Sequence, residues 1–305
     1  MKMLALHRHS PTLTTFLIAV VIAAWLPVNV TAAWLMDVSV EYQFNDNQPN
    51  GDFDFDIHSD QAIETSVSAG KYFQITDSTG LGLVADITVA QHLRFSDLTH
   101  TDFGVSSFLN KKLGLGQTAP VISATAGLAY TDSHDRQRDA WQYSFGAGFS
   151  KRLTNRWQLL LNYKYENQSA EHFIDIPYAV ATVGARGNVF DIEAHSLSIF
   201  CVYDLTQRLS GHVGYTRREG DVVSSTKLNY SVFYVSKAIA YDPVFGPGIV
   251  AYTVDAGTNI FSLGLSLALN PHSSINAGYE YRISHADGDL SYQNNILQLT
   301  YLYSY

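Results

Sequence analysis

Hydrophobic and polar residues alternate along most of this chain. In the stretch from Trp157 to Tyr165 the odd positions are Trp157, Leu159, Leu161, Tyr163 and Tyr165, and the even ones Gln158, Leu160, Asn162 and Lys164. On a helix, residues two apart stand about 200° apart, so this apolar set would cover no single face. On a strand it makes one clean face. The same period recurs in Met36–Phe44, Trp141–Phe149, Phe261–Leu269 and Ile275–Ile283. It predicts strands near 34–46, 60–73, 80–96, 101–113, 120–132, 140–153, 157–168, 190–205, 209–219, 256–269, 274–286 and 290–305. Their connections alternate between tight turns (154–156, 206–208, 270–273) and longer segments (45–60, 133–139, 167–189, 220–255). The hairpins around Thr154-Asn155-Arg156, Thr206-Gln207-Arg208 and Asn270-Pro271 resemble one another.

Strands of mostly 12–16 residues are long for a soluble sandwich, whose strands run about 5–6 residues and expose their polar face. They suit tilted membrane strands. After the N-terminal segment, no stretch has the roughly 20 consecutive apolar residues that a spanning helix requires. A membrane protein built from this chain must therefore be a closed β-barrel, since helices and barrels alone satisfy the backbone in lipid. The expected fold is all-β: a twelve-stranded antiparallel up-and-down transmembrane barrel, with short turns on one side and long loops on the other. Residues 1–33 read as a secretory signal peptide. Lys2 and Arg8 precede an eleven-residue apolar run, Phe16–Leu26, with small residues at Val30-Thr31-Ala32. The barrel would occupy 34–305. Cys201 falls in phase with the lipid-facing residues Leu197, Ile199 and Tyr203.

The chain ends in Leu297, Leu299, Tyr301, Tyr303 and Tyr305, apolar at every second position to a terminal aromatic. This strand resembles the last strand of Gram-negative outer-membrane β-barrel proteins. The resemblance implies location in the cell outer membrane and recognition of this strand by the barrel-assembly machinery. It implies fold and place, not activity.

Composition narrows function without fixing it. The 305 residues include 28 acids and 19 Lys and Arg, for a net charge of −9, and no basic run. Nucleic acid therefore has no electrostatic footprint to meet. A single cysteine excludes internal disulfides and cysteine-cluster zinc sites. If the apolar face meets lipid, the other face lines the lumen. Its acids would be Asp37, Glu41, Glu64, Asp86, Glu166, Asp204 and Glu280. Its bases would be Arg94, Lys112, Arg152, Lys164, Arg218 and Arg282, with His92 and His212. Such near balance favours internal ion pairs that fill or narrow the lumen, rather than a pore of one sign.

Three segments suggest sharper sites. Asp46, Gln48, Asn50 and Gly51 start like a calcium loop, but Ile57 stands where a Glu is needed. Asp52, Asp54 and Asp56 alternating with Phe53 and Phe55 predict instead a projecting strand with an acidic face. A hydrolytic site would need Ser and His on one face. Ser196 and Ser198 lie opposite in phase to His195, as Ser284 does to His285. The aromatic-rich segment 220–255 could constrict or cover the barrel; extension of the flanking strands with a turn near 242–248 is slightly favoured. The first expectation is a porin-like channel for passive passage of small polar or charged solutes, monomeric and without cofactor. Its partners would be outer-membrane lipids and lipopolysaccharide. The alternatives are a closed structural or surface-interaction barrel acting through its long loops, and an outer-membrane lipid-modifying hydrolase.

Overall fold

A computed structural model describes residues 32–171, 188–288 and 290–305, with the backbone alone at 230 and 231. Residues 1–31, most of the segment read as a signal peptide, lie outside this range, as do 172–187 of the expected loop 167–189. The strands are β1 (Ala32–Asn45), β2 (Asp60–Thr76), β3 (Thr79–His92), β4 (His100–Lys112), β5 (Val121–Ser133), β6 (Ala140–Arg152), β7 (Trp157–Ala170), β8 (Ile192–Asp204), β9 (Leu209–Lys227), β10 (Ala238–Tyr241), β11 (Ile249–Asn270), β12 (Ser273–Ala286) and β13 (Leu290–Ser304). One short helix, α1 (Tyr230–Val235), precedes β10.

Every neighbouring pair is antiparallel, and the sheet closes where β1 meets β13, with Val40 opposite Tyr301. β9 pairs directly with β11, so twelve strands form the wall. The short β10 is an addition at the rim, pairing with Val250–Thr253 of β11 above the point where β12 leaves it. Closure removes both sheet edges, which lipid would leave without hydrogen-bond partners.

The tight turns explain the likeness of the hairpins. The Thr154 hydroxyl accepts from the amides of Arg156 and Trp157 at 3.2 and 3.1 Å. Thr206 does the same for Arg208 and Leu209 at 3.2 and 3.0 Å. A threonine bonding its own turn backbone is a local device that works wherever it is repeated.

Cross-strand register carries one alternation around the wall. Val105 faces Leu128, Leu128 faces Tyr143, and Leu197 faces Tyr163, all pointing outward. Large apolar side chains on this face are exposed throughout, from Met36 and Val40 to Leu263, Leu265 and Leu297. Cys201 pairs with Leu159 and Val213 on the same face. Above this belt runs a ring of aromatic donors. Tyr42 bonds Gln61, Trp141 bonds Glu171, Tyr165 bonds Glu193, Tyr215 bonds Asn259, and Tyr279 bonds Asn295, at 2.6–3.1 Å. Below it, Trp157 packs on Tyr203 with ring centres 4.6 Å apart, and Lys71 sits over Trp34. On β11 the belt runs from just past Asn259 to Leu269. About ten residues at about 3.3 Å, tilted by about 40°, give about 25 Å, the height of a barrel's apolar band. The barrel therefore spans a membrane.

Candidate functional site

Register places every expected lumen residue that lies on a strand opposite in phase to this belt. Glu41 faces Glu64, Asp86 faces Ser68 and Gly104, Lys164 faces Gly146 and Ser196, and Arg218 faces Ser196 and Thr258. Arg94 follows β3 at the rim, where its amide and guanidinium bond Asp60 and the Ser59 carbonyl. Lys112, Arg152 and Asp204 lie at the short-turn end, with Arg152 and Asp204 paired at 3.3 Å. His212 lies against Gly264, and His92 pairs with Asp60 at 2.7 Å. Sequence reading omitted three inward residues of the same kind, Asp60, His100 and Asp102. Their alternation was visible, but they stand at strand ends where phase is hardest to assign.

Of the internal ion pairs expected to fill or narrow the lumen, those present line its wall rather than cross it. Each inward pair runs along its own stretch of wall: Lys164 with Glu166 at 2.5 Å, Arg282 with Glu280 at 2.6 Å. Glu41 accepts from Gln298 and Thr300 on the neighbouring strand, at 3.1 and 2.8 Å. Among the described residues no ion pair bridges the lumen. Side chains at i and i+2 on one strand meet easily, whereas those on opposite walls of a twelve-stranded barrel are too short to touch. Side chains also lie flat against the wall, and glycine makes that close approach available. The Phe108 ring occupies the space a Cβ at Gly82 would need.

Two consequences follow. First, the described side chains do not fill the lumen. The inward side chains of Lys164 and Glu166 remain 54% and 41% exposed. A cavity of about 370 Å³ is lined by Asp86, Ser106, Gln142, Ser144, Lys164, Glu166, Gln168 and Arg218. Second, the inward acids of β1 to β4 (Glu41, Glu64, Asp86, Asp102) have no Lys or Arg partner among the described residues, whereas on β7 and β12 Lys164 and Arg282 are balanced by Glu166 and Glu280.

The extracellular mouth is roofed. The segment 220–255 is mostly strand, as favoured from sequence, and β9 and β11 stay paired up to Lys227 and Ile249. Beyond Gly220 (φ 141°), however, both faces of this hairpin are covered. A Cβ at Gly220 would meet the Glu193 carbonyl, so glycine is required where the hairpin leaves the wall. One face packs Tyr252 and Val254 with Val232, Ile239, Leu290 and Tyr292. The other packs Ala251 with Val189, Phe190 and Ala240. The hairpin tip reaches loops all around the rim. Phe245 packs on Phe95 at 4.8 Å, Arg138 pairs with Asp242 at 2.7 Å, and the Ser225 amide donates to the Pro49 carbonyl at 2.8 Å. Phe95 follows β3, which stands opposite β9 in the ring of twelve. These contacts therefore cross the opening.

The expected acidic strand at 52–56 does not form; residues 46–59 fold as turns. The Asn47 side chain closes on Gly51, Asp52 accepts from the Ser291 amide, and Asp56 accepts from Thr226. The phenylalanines stack on each other, with rings 5.5 Å apart. Asp52 thus fastens the turns to β13 and Asp56 fastens them to the hairpin, roles that alternation alone cannot announce.

His195 points outward and bonds the Tyr163 hydroxyl at 2.8 Å, while Ser196 and Ser198 point inward. Ser284 points inward and bonds Thr258. Register does set Ser291 opposite His285 on the outer face, a cross-strand pairing that same-strand spacing misses. No hydrogen bond joins the two; the Ser291 amide is bound to Asp52.

No protein-family model matches the chain, and no curated protein matches it in sequence. Among solved structures it is similar to an outer-membrane channel from Pseudomonas putida F1, with TM-score 0.60 and 13% identity over 92% of this chain and 97% of that one. Weaker likenesses are the beta domain of the Bordetella autotransporter BrkA (TM-score 0.44, 11% identity, 90% of this chain and 100% of that one) and the outer-membrane channel DcaP of Acinetobacter baumannii (0.41, 9%, 90% and 97%). The first of these, together with the closed wall, apolar belt and aromatic rings, identifies the fold as that of outer-membrane β-barrel proteins, and the cell outer membrane as its place.

Proposed function

We propose that the chain is a porin-like outer-membrane channel for passive passage of small polar or charged solutes. The observation that carries this reading is the state of the inward charges. Lys164, Glu166 and Arg282 face the barrel interior yet keep 54%, 41% and 39% of their side-chain surface in contact with solvent. A barrel filled by its own side chains would bury them. The similarity to an outer-membrane channel supports the reading. Purified protein reconstituted in planar bilayers should give discrete conductance steps. Silence from intact protein would overturn free passage and favour a second reading, which the roof supports: a closed barrel that presents its loops to a partner. On either reading we infer that Leu297, Leu299, Tyr301, Tyr303 and Tyr305 of β13 present the strand that the barrel-assembly machinery reads. Lipid and lipopolysaccharide would surround a monomer.

A further inference from the structure

Asp86 and Arg218 face the same cavity from strands six apart in the ring of twelve, that is, from opposite walls. Asp86 lies over Gly104, where even a Cβ would touch its carboxylate, so no side chain stands between it and the cavity on that side. Among the described residues no cation pairs with it. The Arg218 guanidinium makes one hydrogen bond, from Nη1 to the Asp221 carbonyl at 3.0 Å; no carboxylate stands within ion-pair distance of it, and Glu166 and Asp221 act on it only from farther off. Between these two poles the lining is neutral or self-neutralised. Ser106, Ser144, Gln142 and Gln168 offer uncharged donors and acceptors, and Lys164 is held by Glu166.

A cavity with a carboxylate on one wall and a guanidinium on the other, neither held in an ion pair, discriminates by charge arrangement. A solute with a single charge meets one partner and is repelled by the other. An uncharged solute satisfies neither. A small molecule carrying both signs can place its cation toward Asp86 and its anion toward Arg218. About 370 Å³ admits a molecule of amino-acid size with water around it. We propose that this cavity is a transit site selecting small zwitterions, such as free amino acids, over uncharged solutes of equal size. The proposal rests on the channel reading above and names the solute class for it.

The test is osmotic swelling of proteoliposomes holding the intact protein, with L-alanine and glycerol, two solutes of nearly equal mass, as probes. L-alanine should enter faster than glycerol by about threefold to fivefold, the scale of one partly solvated charge contact. Asp86→Asn and Arg218→Gln should each bring the alanine-to-glycerol ratio toward one. Arg208→Gln, in a short turn away from the cavity, should leave the ratio unchanged. Equal entry of the two solutes through the parent protein would overturn the zwitterion site while leaving the channel standing. A ratio that survives both cavity variants would overturn the assignment to these residues. No entry of either solute would overturn the channel and this proposal together.

Discussion

At the scale of single residues, side-chain phase was legible and partnership was not. Strict alternation places Glu64 or Lys164 on the inner face, because a one-residue slip would turn Ile63 or Tyr163 away from lipid. Nothing local reveals that Lys164 pairs with Glu166 on its own strand while Asp86 pairs with no cation, since that depends on the width of the lumen. Asp135 shows the same limit in the roof. It caps the turn at Arg136–Arg138 and stands 3.3 Å from Arg138 Nε. Burial nonetheless pushes its carboxyl above the usual carboxylate range, with Asp242 adding to the push and Arg138 opposing it. A raised native pKa means that the folded loop holds the proton more tightly than the unfolded chain. Its stabilising contribution is complete below the ordinary value near 4 and is lost as pH rises through the raised one. The melting temperature of Asp135→Asn, relative to the parent protein, should therefore climb between about pH 4 and pH 7. A difference that is flat or falls over that range would contradict the assignment.

At the scale of elements, the twelve wall strands were legible to within a few residues, except where β9 and β11 run on beyond the membrane. Their upper parts, Asp221–Thr226 and Ile249–Val254, are covered on both faces. There, two-sided burial replaces alternation and the strand signal fades. The contacts that set the hairpin over the mouth join residues far apart in sequence, such as Asn50 with Val223 and Phe95 with Phe245. No short-range pattern carries them. Within the membrane, β11 offers a direct test of facing. Leu265, exposed in the middle of its apolar belt, should not tolerate charge, and Leu265→Arg should cost about 2–4 kcal/mol in folding into lipid vesicles. Ser266→Arg, one residue on but facing the lumen, should cost far less. Equal penalties in urea titrations would mean that the two faces are not divided between lipid and water. In the roof, Asp242 is fully buried between Arg138 and Ser225. Arg138→Met leaves that carboxylate without its cation and should weaken the roof locally by about 3 kcal/mol or more. Limited proteolysis should then cut faster within 228–248 while the wall strands stay intact. Unchanged cleavage would show that the pair does not hold the roof.

At the scale of the whole molecule, two features oppose each other. The barrel beneath the roof is lined by charged side chains that stay exposed; the roof above it is buried, apolar and fastened to loops around the rim. The two agree when the roof is a cover on a water-filled passage rather than the cap of a solid barrel. Replacing residues 228–248 with a short turn should remove the contacts of Asp242 and Phe245 while keeping all twelve wall strands. Single-channel recording of that shortened chain in planar bilayers is the most direct test. The account predicts steps larger than those of the intact protein. Silence from a correctly folded shortened barrel would show that its interior conducts nothing, and the channel reading would fall with it.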